Sequence, residues 1–152
     1  MTTDQAPTPE DAMHWSDQYL LGYTPIDEVH EEFVGLVGRL QTGADTELPA
    51  LLDEFAAHLE QHFGLENTWM VETDFPPRDC HIDEHAAVMA SVREVQALAP
   101  EEQAEVIRHL AEALADWFPK HADQLDSALA HWMAKKRLGG KPVVLRRGLK
   151  LR

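Results

Sequence analysis

Five histidines and two carboxylates have the types and the spread of a metal site: His30, His62, Glu66, His81, His85, His121 and Asp126. Imidazole nitrogen and carboxylate oxygen together suit iron, zinc or manganese. His62 and Glu66 are four residues apart, as are His81 and His85, so each pair shares one face if its segment is helical. Burying such a cluster without a metal would be costly, because polar and charged groups lacking partners carry a desolvation penalty. With each of four predicted helices contributing, the residues point to a two-metal site inside a helical bundle.

The elements that must position these residues are constrained by the bulk of the chain. At 152 residues and 44% hydrophobic content it suits one globular domain with one core. No run has the apolar length needed to cross a bilayer, and the first 13 residues are acidic and proline-containing, unlike a signal peptide. Cys80 is the only cysteine, which excludes an internal disulfide and fits a reducing compartment, the cytoplasm. The net charge of −14 is unevenly spread: all 27 acidic residues precede position 135, while 8 of the 13 basic ones lie from Lys135 to Arg152. So acidic a body repels nucleic acid and argues against a nucleic-acid binder. The basic end either folds back on that acidic surface or meets an acidic protein partner or an anionic surface.

Along the chain, residues 1–13 read as a loose arm, 14–138 as a bundle and 139–152 as a basic tail. Ile26, Val29, His30, Phe33, Leu36, Val37 and Leu40 recur at helical steps; Thr24 and Pro25 open this first helix and Gly43 closes it. The second helix spans about Glu47 to Glu72, with Leu48, Leu51, Phe55, Leu59, His62, Glu66 and Trp69 in a stripe roughly 80° wide. Asp74 to Pro77 is a turn. The third helix starts near Arg78 and ends before Pro100, with His81, His85, Val88, Val92 and Val95 on one face. The fourth starts at Pro100 and carries Ile107, Leu110, Leu114, Trp117, His121, Leu125, Ala128 and Trp132. Pro119 removes a backbone hydrogen bond and is expected to kink this helix just before His121. The fold class is therefore all-α, an up-down-up-down antiparallel four-helix bundle, a known host for metals held by inward side chains.

Each candidate ligand has a plainer reading. A single histidine on an apolar face is ordinarily a hydrogen-bonded core residue, so His30 gains weight only from its company. The two spaced pairs match helical two-ligand modules and fall on the apolar stripes of consecutive helices. His58, four residues before His62, is a competing chelator, read here as a rim or surface histidine because Glu66 supplies the anion that two cations need. His14, His109 and His131 read as surface residues, and Cys80 as a thiol about 100° round the helix from His81. Asp126 stays open on spacing alone: five residues after His121 is about 140° round an ideal helix, and Asp123 is no better placed.

Taken in order, the segments Ile26-Asp27-Glu28-Val29-His30, His62-Phe63-x-x-Glu66-x-x-x-Met70, His81-x-x-x-His85 and Trp117-Phe118-x-x-His121-x-x-x-x-Asp126 resemble the hemerythrin family in its bacterial form. The similarity runs from His14 to about Met133. It implies a centre of two iron ions, one held by His81, His85 and His121 and the other by His30 and His62. Glu66 and Asp126 would bridge them, with an oxo or hydroxo group as third bridge; this is what brings Asp126 into the set. Dioxygen would bind end-on at the iron with two histidines, lined by Phe33, Leu36, Phe63, Trp117 and Phe118, in a monomer. Where the family often has leucine and isoleucine flanking the fourth-helix histidine region, this chain has Phe118 and Ala122; Asn67 stands where a second glutamate often follows the bridging one.

The resemblance thus implies reversible dioxygen binding for storage, delivery or sensing. One alternative is a di-iron enzyme acting on peroxide or nitric oxide, although such sites usually carry more carboxylates and fewer histidines. Another is an iron-sequestering protein docked through its basic tail.

Overall fold

The computed structural model describes residues 11–138; residues 1–10 and 139–152, with most of the expected arm and the whole basic tail, lie outside the described residues. Those described are all-helical, with no strand. Helix α1 is Thr24–Thr42, α2 Leu48–Glu72, α3 Arg78–Gln96 and α4 Pro100–His121. A π-helical turn, Ala122–Asp126, joins α4 to α5, Ser127–Leu138. A single 3-10 turn, Asp17–Tyr19, precedes α1.

Local chemistry sets the helix ends. Before α1, the Asp27 carboxylate accepts hydrogen bonds from the Leu21 and Gly22 amides (2.8 and 3.1 Å), which no helical carbonyl can satisfy. Gly22 has φ 89°, a conformation that a side chain would strain. At the other end, Arg108 of α4 donates to the Gly43 carbonyl (2.9 Å) and so caps the exit of α1 from another helix. Pro100 opens α4 without cost, because its missing N–H is one that a first turn leaves unpaired anyway.

Ala12 and Met13, inside the span expected to be a loose arm, pack onto α1. The Met13 amide donates to Gln41 Oε1 (2.7 Å). The Met13 carbonyl lies so near Gly38 that a Cβ there would stand 2.5 Å from it, so only glycine fits.

Helix α2 packs against α1, α3 and α4, and α4 also meets α1 and α3. Facing pairs include Tyr23 with Trp69, Phe33 with Phe55, and Arg39 with Glu54 between α1 and α2 or the turn before α1. Between α2 and α3 they include Phe63 with His85, Arg93 with Glu60, and Gln96 with Asp53. The buried apolar residues form two clusters. Phe33, Val37, Leu52, Phe55, Ile107 and Leu114 belong to the larger, and Ile26, Trp69, Met70, Leu129 and Met133 to the smaller.

The last helical stretch departs from the sequence expectation. Helical structure runs through Pro119 to His121, and α geometry is lost one step later, where the Ser127 amide bonds the Ala122 carbonyl five residues back. This extra residue per turn shifts everything downstream. Leu125 and Trp132, expected to face the core, are half-buried and Ala128 is exposed. Ala122, Asp126, Leu129, Ala130, Met133 and Ala134 are buried instead.

Candidate metal centre

All seven expected side chains converge, and all are buried: His30 and Glu66 are fully inaccessible, and none of the seven exceeds 3% exposure. His30 comes from α1, His62 and Glu66 from one face of α2, His81 and His85 from one face of α3, His121 from the end of α4. Asp126 comes from the π turn. In an α-helix its carboxylate would point well away from His121; the wider turn brings Asp126 Oδ1 within 3.2 Å of His121 Nε2.

The ring nitrogens and carboxylate oxygens fall into two groups. In the first, His81 Nε2 lies 2.8 Å from Asp126 Oδ1 and His85 Nε2 lies 3.3 Å from Glu66 Oε1. His85 Nε2 and His121 Nε2 face each other at 3.3 Å. In the second, His62 Nε2 is 2.8 Å from Glu66 Oε2, and His30 Nε2 is 3.0 Å from Asp126 Oδ2 and 3.6 Å from Glu66 Oε2. Each carboxylate therefore turns one oxygen to the three-histidine group and the other to the two-histidine group. Glu66, His81, His85, His121 and Asp126 are compact enough to hold a metal ion, and so are His30, His62 and Glu66.

The donor set fits such ions. Two neighbouring ligands on an octahedral ion, each about 2.1 Å from it, stand about 3.0 Å apart, which is the spacing seen across both groups. Apart from His62 with Glu66 and His85 with His121, the close approaches are moreover not aligned as hydrogen bonds. His30 Nε2, His81 Nε2, Glu66 Oε1 and both Asp126 oxygens are buried yet have no aligned hydrogen-bond partner. Buried donor atoms turned toward a common point without aligned partners are what a cation satisfies and what a core with no metal to hold would avoid.

The electrostatics agree. Burial disfavours charge on Glu66 and Asp126, yet the histidines facing Glu66 hold its carboxyl well below the usual range, and Asp126 is lowered likewise by His121, His30 and His81. Burial pulls His30 down, but the Asp126 and Glu66 carboxylates outweigh it and raise its pKa to about 10 without a metal. His121 is raised against burial by Asp126 and Glu84, whereas burial lowers His85.

Around the cluster lies a layer that sequence reasoning missed. His121 Nδ1 faces Glu84 Oε1 at 2.9 Å, and Trp117 Nε1–H donates to the same oxygen at 2.9 Å. His85 Nδ1 faces Asn67 Oδ1 at 2.8 Å, so the residue noted as a departure at 67 holds a candidate ligand in place. His58 is half-buried at the edge of the cluster, in keeping with a rim position, and its Nε2 lies 3.2 Å from His62 Nδ1. Burial, with the nearby His62 and His30 rings, lowers its pKa to about 4. The one signal for His58 was its four-residue spacing from His62; Glu84 and Asn67 reach across from neighbouring helices and left none. His14, His109, His131 and Cys80 are exposed, as expected.

Aromatic rings close the remaining sides. Phe63 stacks on His85 (4.1 Å between centroids) and Trp117 on His121 (4.2 Å). Phe118 stands edge-on to His30 (5.0 Å) and stacks on Phe33 (4.8 Å).

Two histidine-carboxylate groups sharing their carboxylates inside a helical protein define a metal-binding helical domain. Comparison with known proteins gives the family: the hemerythrin HHE cation binding domain matches residues 21–132, and the chain belongs to the hemerythrin family. It is 36% identical over 124 residues to a bacteriohemerythrin of Ralstonia nicotianae, covering 82% of this chain and 90% of that one. A bacteriohemerythrin of Aquifex aeolicus is 32% identical over 111 residues, covering 69% of this chain and 85% of that one. No solved structure matches the chain. Among the described residues no helix is long and apolar enough to cross a membrane.

Proposed function

We propose that this chain binds dioxygen reversibly at a centre of two iron ions, for storage, delivery or sensing. His81, His85 and His121 hold one ion, His30 and His62 the other, and Glu66 and Asp126 bridge them, with an oxo or hydroxo group as third bridge. The observation that carries this reading is the division of the Glu66 and Asp126 oxygens between the two histidine groups. Mixed imidazole and carboxylate donors suit iron, and two shared carboxylates offset part of the charge of two divalent ions. When bound, the iron pair supplies the electrons that dioxygen binding draws on and takes them back on release.

The chain's own residues keep that exchange clean. Glu84 and Asn67 fix the outer nitrogens of His121 and His85, so each presents Nε2 inward. Phe33, Phe63 and Phe118 are buried around the centre and exclude water, which slows irreversible oxidation. Five imidazoles against two carboxylates favour a carrier over a strongly oxidising enzyme. The order of facing residues supports an up-down-up-down antiparallel bundle; that the bundle spans 14–138 and acts as a cytoplasmic monomer is part of the same proposal.

The test is to reduce the iron-loaded protein anaerobically and record its visible spectrum through cycles of oxygen and vacuum. A band that appears with oxygen and disappears under vacuum is expected. Immediate conversion to a stable ferric spectrum, or steady turnover of peroxide or nitric oxide, would overturn the reading.

A further inference from the structure

His62 differs from its fellow histidines in what stands behind it. The outer nitrogen of His85 meets an amide and that of His121 a carboxylate, whereas His62 Nδ1 meets a second histidine, His58 Nε2, at 3.2 Å. His58 lies one turn earlier on the same helix, so the two rings meet as an i,i+4 pair. They stand edge to face, 5.2 Å between centroids and 71° between planes. On its far side His58 turns Nδ1 toward Glu32 Oε2 of α1, at 3.4 Å. Glu32 is 68% exposed, so the series runs from the buried centre through two imidazoles to the surface. Phe33 flanks both rings, 6.4 Å from His58 and 6.0 Å from His62 between centroids.

The hydrogen positions follow from one condition, the proposed use of His62 Nε2 toward metal. Nε2 then offers a lone pair, so Nδ1 carries the proton and donates it to His58 Nε2. His58, accepting at Nε2, must in turn carry its proton on Nδ1, the atom that faces Glu32. The ring-to-ring contact then has one donor and one acceptor, with His58 Nδ1 turned toward the exposed Glu32 carboxylate 3.4 Å away, and reversing either ring sets two N–H groups or two lone pairs against each other. His58 is not itself placed to chelate, since it lies on the side of the His62 ring away from Glu66.

We propose that His58, steadied by Glu32, is a positioning residue that locks the tautomer and the ring plane of His62 and so sets how firmly the two-histidine side holds its ion. The inference rests on the di-metal reading of the site and adds a specific role for two residues outside it. An imidazole is a weaker hydrogen-bond acceptor than the Glu84 carboxylate behind His121, so His62 is left the less electron-rich donor of the two.

The test is the kinetics of iron loss from the full-length protein to an excess of chelator, with iron per chain and far-ultraviolet circular dichroism recorded for each variant. Wild-type protein carrying fewer than two irons would overturn the di-metal reading itself. With two irons loaded, His58→Phe is expected to keep the helical signal and to release one of the two ions about tenfold faster, within the 10–100-fold range typical of outer partners. His58→Gln, whose amide oxygen reaches the place of the His58 Nε2 and can accept from His62 Nδ1, is expected to restore most of the slow release. Glu32→Ala, at an exposed position, is expected to give a smaller acceleration that vanishes in the His58→Phe background. Two-iron loading with unchanged release in His58→Phe would overturn the proposal and leave the di-metal reading intact. Equal acceleration of both ions, or no rescue by His58→Gln, would likewise overturn it, since loosened packing would do the same.

Discussion

His121 Nε2 and Asp126 Oδ1 lie 3.2 Å apart across a π-helical turn, a pairing that an α-helix of the same sequence would break. The turn carries one more residue than an α turn, and so corrects the roughly 140° offset that five α-helical residues would leave. The same insertion moves the buried face of α5 onto Leu129 and Met133.

Substitution can read that register directly. Leu129 is fully buried, so Leu129→Ala is expected to cost about 2–5 kcal/mol. Leu125 is only half-buried, and Leu125→Ala should cost under about 1 kcal/mol. Urea denaturation of the two variants decides between registers; a larger loss for Leu125→Ala would mean that the helix continues in α geometry.

The contact of Met13 with Gly38 makes a second case. Gly38→Ala places a Cβ 2.5 Å from the Met13 carbonyl, and backbone must move to admit it. A loss of about 1–3 kcal/mol is expected, as for other overpacked positions. Thermal melts showing Gly38→Ala as stable as wild type would mean that residues 12 and 13 are not held there.

Acid-base behaviour follows from His30. Its folded pKa, about 10 without metal, lies above the ordinary 6.5, so its contribution to the stability of the metal-free fold is complete below about pH 6.5 and fades as pH rises through 10. At pH 8 the ring therefore holds a proton that a metal ion must displace. Metal addition at pH 8 is expected to release about one proton more from wild type than from His30→Gln, read with a pH indicator in weak buffer. Equal release from the two would remove His30 from the ligand set.

Phe118 separates His30 from the rest of the core, edge-on to the ring at 5.0 Å. Phe118→Leu opens space beside the two-histidine group and is expected to shorten the half-time of autoxidation of the reduced, iron-loaded protein severalfold. An unchanged half-time would show that water enters elsewhere.

Much of this was legible in the sequence because helices write themselves as a period. The limits of α1 to α3 and the start of α4 match their apolar spacing, and the His62/Glu66 and His81/His85 pairs stand out as ionisable residues on apolar stripes. Asp126 was not legible from spacing, since the period assumed for it was the α-helical one and the π turn has another. Leu125 and Ala128 were misplaced for the same reason, whereas Trp132 does pack against the smaller cluster. Asn67 and Glu84 escaped notice because each supports a histidine on the next helix, and a single sequence carries no record of which side chains meet across helices. His58 carried the right spacing, but its burial depends on α1 covering that edge of α2.

Iron and oxygen stoichiometry of the reduced protein bears most directly on the function. Two irons and one dioxygen bound per chain, with the dioxygen recovered under vacuum and the iron again ferrous, are expected of a reversible di-iron carrier. One iron per chain, or oxygen consumed and not recovered, would contradict it.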